Sequence, residues 1–436
     1  MPEQKKLYDI AIIGGGASGL FAAVCAVREM KKRGRRDSVI LLEKNDRVGK
    51  KLLMTGNGRC NLTNLSADRV KYSGRNPVVA QKVIAMCPPA KTLRIFHELG
   101  VECFEEAEGR VYPRSEQAAS VLDMLRYRLE QEGVEQRCDF RVKELRKNGG
   151  RFLLGNGEES VLARRVIFAA GGASARADAE SYALCEKLGH GRNPIFPSLV
   201  QIKTDPNVVK SMKGMKCSAR VTVTADGKTI GSEQGEVLFT EYGLSGICIF
   251  QISRAVSEYF TCGTIYGRRS GRPEIVLDLL PEKSGEETLA LLQERRENLK
   301  GYPMEYFLDG LLNKKIGQEV LKSVVSEPFK RKVGSMTDTE WMALAETIKR
   351  WKFLPTGTMS WQQAQVTAGG LKTEEFSMRT LESLKVKGLF ACGEVLDVDG
   401  ICGGFNLQWA WSSGYLAGIS AVASLEEKPE GRKGRT

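Results

Sequence analysis

Three glycines and one acid carry the strongest chemical signal in this chain. Gly14, Gly16 and Gly19 form G-x-G-x-x-G directly after the apolar run Ile10–Ile13. The helical stretch Leu20–Lys32 follows, then the apolar run Val39–Leu42, which ends in Glu43. Each position has a physical use. Gly14 permits a tight turn out of a strand, Gly16 leaves space beside the backbone, and Gly19 lets helix and strand approach closely. The helix start then offers unpaired N–H groups to an anion. Glu43 falls close to the expected spacing of about 20 residues and can accept hydrogen bonds from ribose hydroxyls. An acid there repels a 2′-phosphate. Strand, glycine turn, helix, strand and acid, in that order, predict a dinucleotide-binding βαβ unit.

The elements that must hold this unit lie far apart in the chain. With 436 residues, two or three domains are expected. Helices are expected over 76–99, broken near Pro88–Pro89, and over 116–132. Strand-like runs at Cys138–Leu145 and Arg151–Leu154, split by Asn148-Gly-Gly, read as a hairpin. Arg164-R-V-I-F-A-A-G-G172 reads as a second buried strand ending in glycines. Character changes near Pro194 to β-rich runs, with a turn at Asp226-Gly, and then to helical patterns over 284–350. From Gly357 the β/α character returns, in Gln365–Gly370, in Leu389–Glu394, and in a glycine loop feeding a last helix. The expected division is 1–192 with 357–436 as one discontinuous domain and 193–356 as an insertion. Residues 429–436 read as a basic tail.

Composition excludes several classes. The net charge is +12, with basic clusters at 28–36, 314–315, 330–332 and 432–435, none interleaved with aromatics in a recognisable RNA-binding motif. Eleven scattered cysteines without C-x-x-C spacing argue against a disulfide framework, a zinc site and a redox disulfide. A reducing cytoplasm is the expected compartment. With only His97 and His190, a serine triad or a multi-histidine metal site is not expected, and no metal is. No run of about 20 apolar residues predicts a membrane span.

The loop Lys44-N-D-R-V-G-K-K-L-L-M-T-G-N-G-R-C-N-L-T-N64 is rich in small polar residues, with cations at Lys50, Lys51 and Arg59. Together with G-G-G-A-S-G, F-A-A-G-G and G-E-V-L-D-V-D-G-I-C-G-G-F-N-L-Q-W-A-W-S-S-G, it resembles the BaiN/YhiN-like flavoproteins, a family that includes aminoacetone oxidase-like proteins. The resemblance runs from about Tyr8 to Leu425. It implies an α/β fold: a Rossmann-type FAD-binding domain of the two-dinucleotide-domain flavoprotein kind, with an inserted β-barrel-like plus helical domain.

The resemblance also implies roles. Gly14, Gly16, Ala17, Ser18 and Gly19 hold the pyrophosphate of FAD, and Gly171 closes the second glycine turn. Glu43 and Lys44 hold the adenosine ribose side, and Val142 meets adenine through its backbone. Asn57, Gly58, Arg59, Cys60 and Asn61 line the flavin region. Glu394 and Asp397 sit by the ribityl and phosphate groups. Gly403, Gly404, Phe405, Asn406 and Leu407 lie at the isoalloxazine edge, where the start of the last helix favours the anion of reduced flavin. Two departures from the family pattern are the stretch 174–180 and Cys402 in place of a threonine.

The activity implied is that of an FAD-dependent oxidoreductase. No second G-x-G-x-x-G is present, so NAD(P)H is expected only as a transient reductant. Three reactions stay open. One is reduction of a C=C conjugated to a carbonyl in a small enone such as a 3-dehydro-bile acid, a step of steroid and bile acid metabolism. The second is reduction of uridine to dihydrouridine in ribosomal RNA, a partner the charge allows but does not require. The third is amine oxidation. Candidate proton donors are Cys60, His190 and Tyr112, and Cys60 reads more readily as a small packing residue or a thiol neighbouring the cofactor. Trp409 and Trp411 are expected in the core.

Overall fold

The computed structural model describes residues 6–68, 72–174, 179–266 and 272–426. The chain divides into two compact units, Met1–Ile195 with Val366–Thr436, and Phe196–Gln365. The expected basic tail and most of the departing stretch 174–180 lie outside the described residues.

The first unit begins with β1 (Leu7–Ile13), α1 (Ala17–Lys32) and β2 (Val39–Leu42). After the polar loop come β3 (Thr63–Asn64), α2 (Val78–Met86) and α3 (Pro89–Glu98), the two helices parted at the expected prolines. Then follow β4 (Cys103–Glu105), β5 (Arg110–Pro113) and α4 (Ala118–Gln131). Next are β6 (Glu135–Arg137), β7 (Glu144–Asn148), β8 (Arg151–Gly155), β9 (Ser160–Phe168), α5 (Tyr182–Glu186) and β10 (Arg192–Ser198). Of the strand expected over Cys138–Leu145, only the end from Glu144 is strand, as the start of β7, and residues 138–143 form a crossing segment. Asp139 N–H and Phe140 N–H donate to the carbonyls of Asn45 and Glu43, so the start of this backbone bonds to the loop after β2, and Lys143 N–H then donates to Gly155 O at 2.8 Å where the segment meets β8. Asn148 and Arg151 close the β7–β8 hairpin as a directly opposed pair.

The second unit holds β11 (Ile202–Lys203), α6 (Pro206–Val209), β12 (Lys216–Ala225), β13 (Lys228–Phe239), β14 (Gly243–Ser245) and α7 (Ile247–Tyr266). It continues through β15 (Glu274–Asp278), α8 (Gly285–Asn298), α9 (Lys314–Val324), α10 (Asp338–Lys349), β16 (Trp351–Phe353) and β17 (Gly357–Thr358). Its strands form one seven-stranded sheet in the order β16-β15-β12-β13-β14-β11-β17, antiparallel at every pairing. Helices α8 and α10 each start in a capping box, Ser284 with Glu287 and Thr337 with Glu340.

The chain returns to the first unit with β18 (Val366–Leu371), β19 (Leu389–Ala391) and α11 (Phe405–Ser424). Five strands now lie parallel in the order β6-β2-β1-β9-β19, and the β7–β8 hairpin joins the early half of β9. Both faces of this sheet are covered, as parallel sheets require. Ile10, Ile12 and Leu41 enter one core with α1, α3, α4 and α11, while Ala11, Ile13 and Ile40 enter the other. Helix α11 is apolar nearly all round because it is buried nearly all round. Trp411 packs against Phe21 and Phe96 and donates its indole N–H to Leu62 O at 2.8 Å. Trp409 donates to Gly393 O at 3.0 Å. Both tryptophans are core residues.

Candidate functional site

The glycine turn has the geometry its spacing implies. Gly14 sits at φ +104°, where only glycine is at ease, and a Cβ there would lie 2.3 Å from Ala169 O. A Cβ on Gly19 would lie 1.9 Å from Gly14 O, so helix and strand meet backbone to backbone. Gly16 differs. Its φ is an ordinary −80°, and a Cβ there would meet nothing within 4 Å. Gly16 precedes α1 with no side-chain cap, and Gly14, Gly16 and Ala17 are half-exposed. The result is a clear space in front of free helix N–H groups, which suits a pyrophosphate.

Glu43 is buried and turned inward. Its carboxylate accepts Gly15 N–H at 2.7 Å and Asn45 N–H at 2.9 Å, and also the Asn45 side-chain amide. It fastens the glycine turn to the end of β2. A carboxylate has about four lone-pair sites, so capacity for a ribose hydroxyl remains. Lys44 beside it is half-buried. Val142 lies in the crossing segment after β6, and among the described residues its backbone makes no hydrogen bond within the chain. Gly171, at φ +75°, has open space where a side chain would be.

A second cluster gathers at Glu394, just after β19. Its Oε1 accepts Thr367 N–H at 2.7 Å and the Ser174 hydroxyl at 2.8 Å, and its Oε2 pairs with the Lys51 ammonium. Burial pushes this carboxyl up, but Lys51, Ser174 and Thr367 outweigh it and hold it below the usual glutamate range. The stability this pair contributes is present above the ordinary glutamate value of 4.5 and is lost as pH falls through the lower folded value. We expect Glu394→Gln to lose about 1–2 kcal/mol at neutral pH, less than a fully buried pair because Lys51 is partly in water. Its melting temperature should also depend less on pH below 4.5 than that of the parent protein. Equal acid sensitivity in thermal melts of the two would refute this.

The start of α11 makes a third cluster. Gly404, at φ +94°, presses against the backbone of β3, and a Cβ there would lie 2.5 Å from Thr63 O and 2.8 Å from Asn61 Oδ1. Asn61 Oδ1 is buried without a hydrogen-bond partner, beside the uncapped N-terminus of α11. A buried orphan acceptor beside free helix N–H groups suits a ligand edge bearing both donors and acceptors. Asn64 donates to Gly403 O and Glu108 O, each at 3.0 Å. The side chains of Phe405 and Asn406 do not face this edge. Phe405 is buried edge-on to Tyr72, and Asn406 folds back to bond Gly400 through both its oxygen and its nitrogen. Leu407 packs partly into the core. These residues offer backbone, not side chains. Asp397 is likewise spent inside the protein, accepting Arg75 N–H at 2.9 Å and the Asn193 amide at 2.7 Å.

Two of the three candidate proton donors are misplaced for that task. Cys60 is wholly buried in the core, and burial pushes its thiol up to about 12; it packs. His190 has a fully buried side chain whose two ring nitrogens are used by Glu375 at 3.1 Å and Ser383 at 3.0 Å, and it stacks on Phe376. Burial lowers its basicity, partly opposed by Glu375. It fastens the chain after α5 to the segment after β18. Tyr112, on β5, stands apart from both. The Arg59 guanidinium lies 4.3 Å over its ring, and Arg59 also bonds Glu106 at 2.6 Å. Burial pushes the Tyr112 phenol up, so it is protonated at neutral pH. Asn57 and Gly58, just before Arg59, are exposed. Ser174 and Thr367 are not legible as site residues from sequence, since neither sits in a motif with a spacing rule. The sequence signal for Lys51 is its place in the polar loop.

The same architecture recurs in known proteins. A family model described as HI0933-like protein Rossmann domain matches residues 8–420. The chain is 36% identical over 418 residues to the 3-dehydro-bile acid delta(4,6)-reductase of Clostridium scindens, covering 95% of this chain and 98% of that protein. It is 30% identical over 421 residues to the ribosomal RNA dihydrouridine synthase of Escherichia coli, covering 96% and 98%. Among solved structures, the 3-ketosteroid delta1-dehydrogenase of Sterolibacterium denitrificans, in complex with 1,4-androstadiene-3,17-dione, superposes with a TM-score of 0.50 at 13% identity. That match covers 96% of this chain and 100% of that one, and it speaks to the fold alone. The fold is the Rossmann-type FAD-binding fold with an additional sheet domain. The glycine turn, the parallel sheet and the full-length matches agree, and this chain belongs to the HI0933-like Rossmann family.

Proposed function

We propose that this protein is an FAD-dependent oxidoreductase that uses NAD(P)H to reduce a C=C bond conjugated to a carbonyl, on a small steroid-like enone of the 3-dehydro-bile acid class. One observation carries the reading: an open cradle at Gly16 in front of α1, in a chain 36% identical along almost its whole length to a reductase of that class. When bound, FAD would supply hydride to the conjugated carbon.

The chain's own residues bind, orient and protonate. The N–H groups at Gly16, Ala17 and Ser18 receive the pyrophosphate, and Gly14, Gly19 and Gly171 keep the backbone close. Glu43 and Lys44 take the ribose side, and the backbone of Val142 takes adenine. Lys51, Ser174 and Thr367 hold Glu394 ionised, with Asp397 behind it. Asn61, Gly403 and Gly404 and the first N–H groups of α11 take the flavin edge, with Asn57, Gly58 and Arg59 on the adjoining loop. Tyr112 is the proton donor we favour, because its phenol stays protonated and Arg59 fixes the ring. Tyr112→Phe should slow substrate reduction about 100-fold while leaving flavin reduction by NAD(P)H intact. Equal slowing of both half-reactions would remove Tyr112 from this role.

The deciding experiment is anaerobic reduction of the bound flavin by NADH and NADPH, then re-oxidation by a dienone bile acid. Re-oxidation by the dienone supports the reading, and failure with any dienone overturns it. A second reading, dihydrouridine synthesis on ribosomal RNA, is favoured by the net charge of +12 and by the E. coli relative. Re-oxidation only by a uridine-containing RNA would select it. We place the protein in the cytoplasm, a reading supported by eleven cysteines that are all free thiols. No helix among the described residues is long and apolar enough to cross a membrane.

A further inference from the structure

The helical part of the second unit holds aromatic rings in water. Tyr302, Tyr306 and Phe329 are 55%, 42% and 42% exposed. The segments that carry them run side by side: Met304 N–H donates to Arg331 O at 2.9 Å, Val333 N–H donates to Tyr302 O at 3.0 Å, and Pro303 bridges Lys332. Lysines flank the rings. The Lys314 ammonium lies 5.2 Å over the Tyr306 ring, and the Lys322 ammonium 5.3 Å over the Phe329 ring. Among the described residues, Lys314, Lys315 and Lys332 have no carboxylate partner. Lys322 and Lys330 have Glu319 at 2.8 Å and Glu327 at 2.6 Å. Lys314 and Lys315 stand in the first turn of α9, where the helix dipole disfavours cations, so helix stability does not account for them.

Single exposed apolar side chains need no explanation, but three exposed rings set among five lysines, three of them without a carboxylate partner among the described residues, do. Flat rings offer base-stacking platforms, and lysines follow a phosphate backbone. An acidic peptide would use the lysines and leave the rings idle. We propose that the face formed by Tyr302, Tyr306, Phe329, Lys314, Lys322 and Lys332 binds single-stranded RNA. The inference deepens the dihydrouridine reading, and it rests on that reading only for the chemistry done on the bound strand.

The test is fluorescence anisotropy of the holoprotein with a labelled poly-uridine strand of about 12 nucleotides, a length set by typical single-strand sites. A duplex RNA of equal length and poly-glutamate serve as competitors. The single strand should bind more tightly than the duplex, with an affinity that falls as salt rises. Tyr306→Ala with Phe329→Ala should weaken binding at least about fivefold at an unchanged salt slope. Lys314→Glu with Lys315→Glu should flatten the slope, by about 0.7 for each phosphate no longer neutralised. Flavin spectra and melting temperatures of both variants should match the parent and show that they fold. Absence of RNA binding, equal affinity for duplex and single strand, full competition by poly-glutamate, or ring variants that bind normally would each overturn the proposal. RNA that binds through this face yet is never reduced would leave the surface standing and remove the dihydrouridine reading. Dihydrouridine formed at normal affinity by the ring variants would do the reverse.

Discussion

Gly16→Val is expected to fold and to purify without flavin. The backbone at Gly16 is extended, with φ −80° and ψ −172°, a region valine favours. A Cβ there meets nothing within 4 Å, so no protein atom has to move. The cost to the empty protein is the loss of a good N-cap residue, about 1 kcal/mol or less. The branched side chain does fill the space in front of the α1 N–H groups. Overpacking of about 1–3 kcal/mol against the pyrophosphate corresponds to a loss of FAD affinity of about 5- to 150-fold. Gly19→Ala is the contrast. Its methyl would sit 1.9 Å from Gly14 O, so that variant should lose stability first and flavin only as a result. Melting curves with and without added FAD separate the two. A Gly16→Val protein that keeps stoichiometric flavin would show that the cradle lies elsewhere.

Gly418→Val is expected to be the most damaging change far from the cradle. Helix α11 lies directly on α1, and Gly414 and Gly418 are where the backbones meet. A Cβ at Gly414 would lie 2.6 Å from Ser18 O, and one at Gly418 would lie 2.4 Å from Ala22 O. Neither opposing atom is a side-chain end that can swing away, so the helices must separate. Separation opens the core where Trp411 fits among Phe21 and Phe96. The expected loss is about 3 kcal/mol or more, at the upper end of overpacking effects. Function should fall with it, because the starts of α1 and α11 are the two helix ends assigned to the cofactor and their spacing is set by this packing. Calorimetry of the variant checks the first point and FAD titration the second. An unchanged melting temperature would mean that the two helix backbones do not touch.

The first βαβ unit is legible in the sequence because its geometry is local. Gly14, Gly16, Gly19 and Glu43 lie within one strand, one turn and one helix of each other, and spacing rules capture that. The hairpin at Asn148-Gly-Gly and the prolines between α2 and α3 are readable for the same reason. The start of the segment over 138–145 misleads because its alternation suits a strand, yet the Asp139 and Phe140 N–H groups bond back to the loop after β2, and only Glu144 and Leu145 belong to a strand. Cys60 and His190 look like chemistry because type and motif are all that a sequence displays. Their burial is a property of what packs around them. The lysine–aromatic face is invisible as well, since Tyr306 and Phe329 meet Lys314 and Lys322 only after the chain has doubled back.

The sequence by itself determined the dinucleotide turn, the α/β class and the family, because these rest on short-range patterns of glycine, apolar residues and acid. The tertiary structure decided which polar groups face one another. It set Lys51 and Ser174 on Glu394, gave Asp397 to Asn193, and laid α11 on α1 through Gly414 and Gly418. Partners of this kind are hundreds of positions apart in the chain. No local spacing encodes them, and only the close packing of a folded core brings them within hydrogen-bond range.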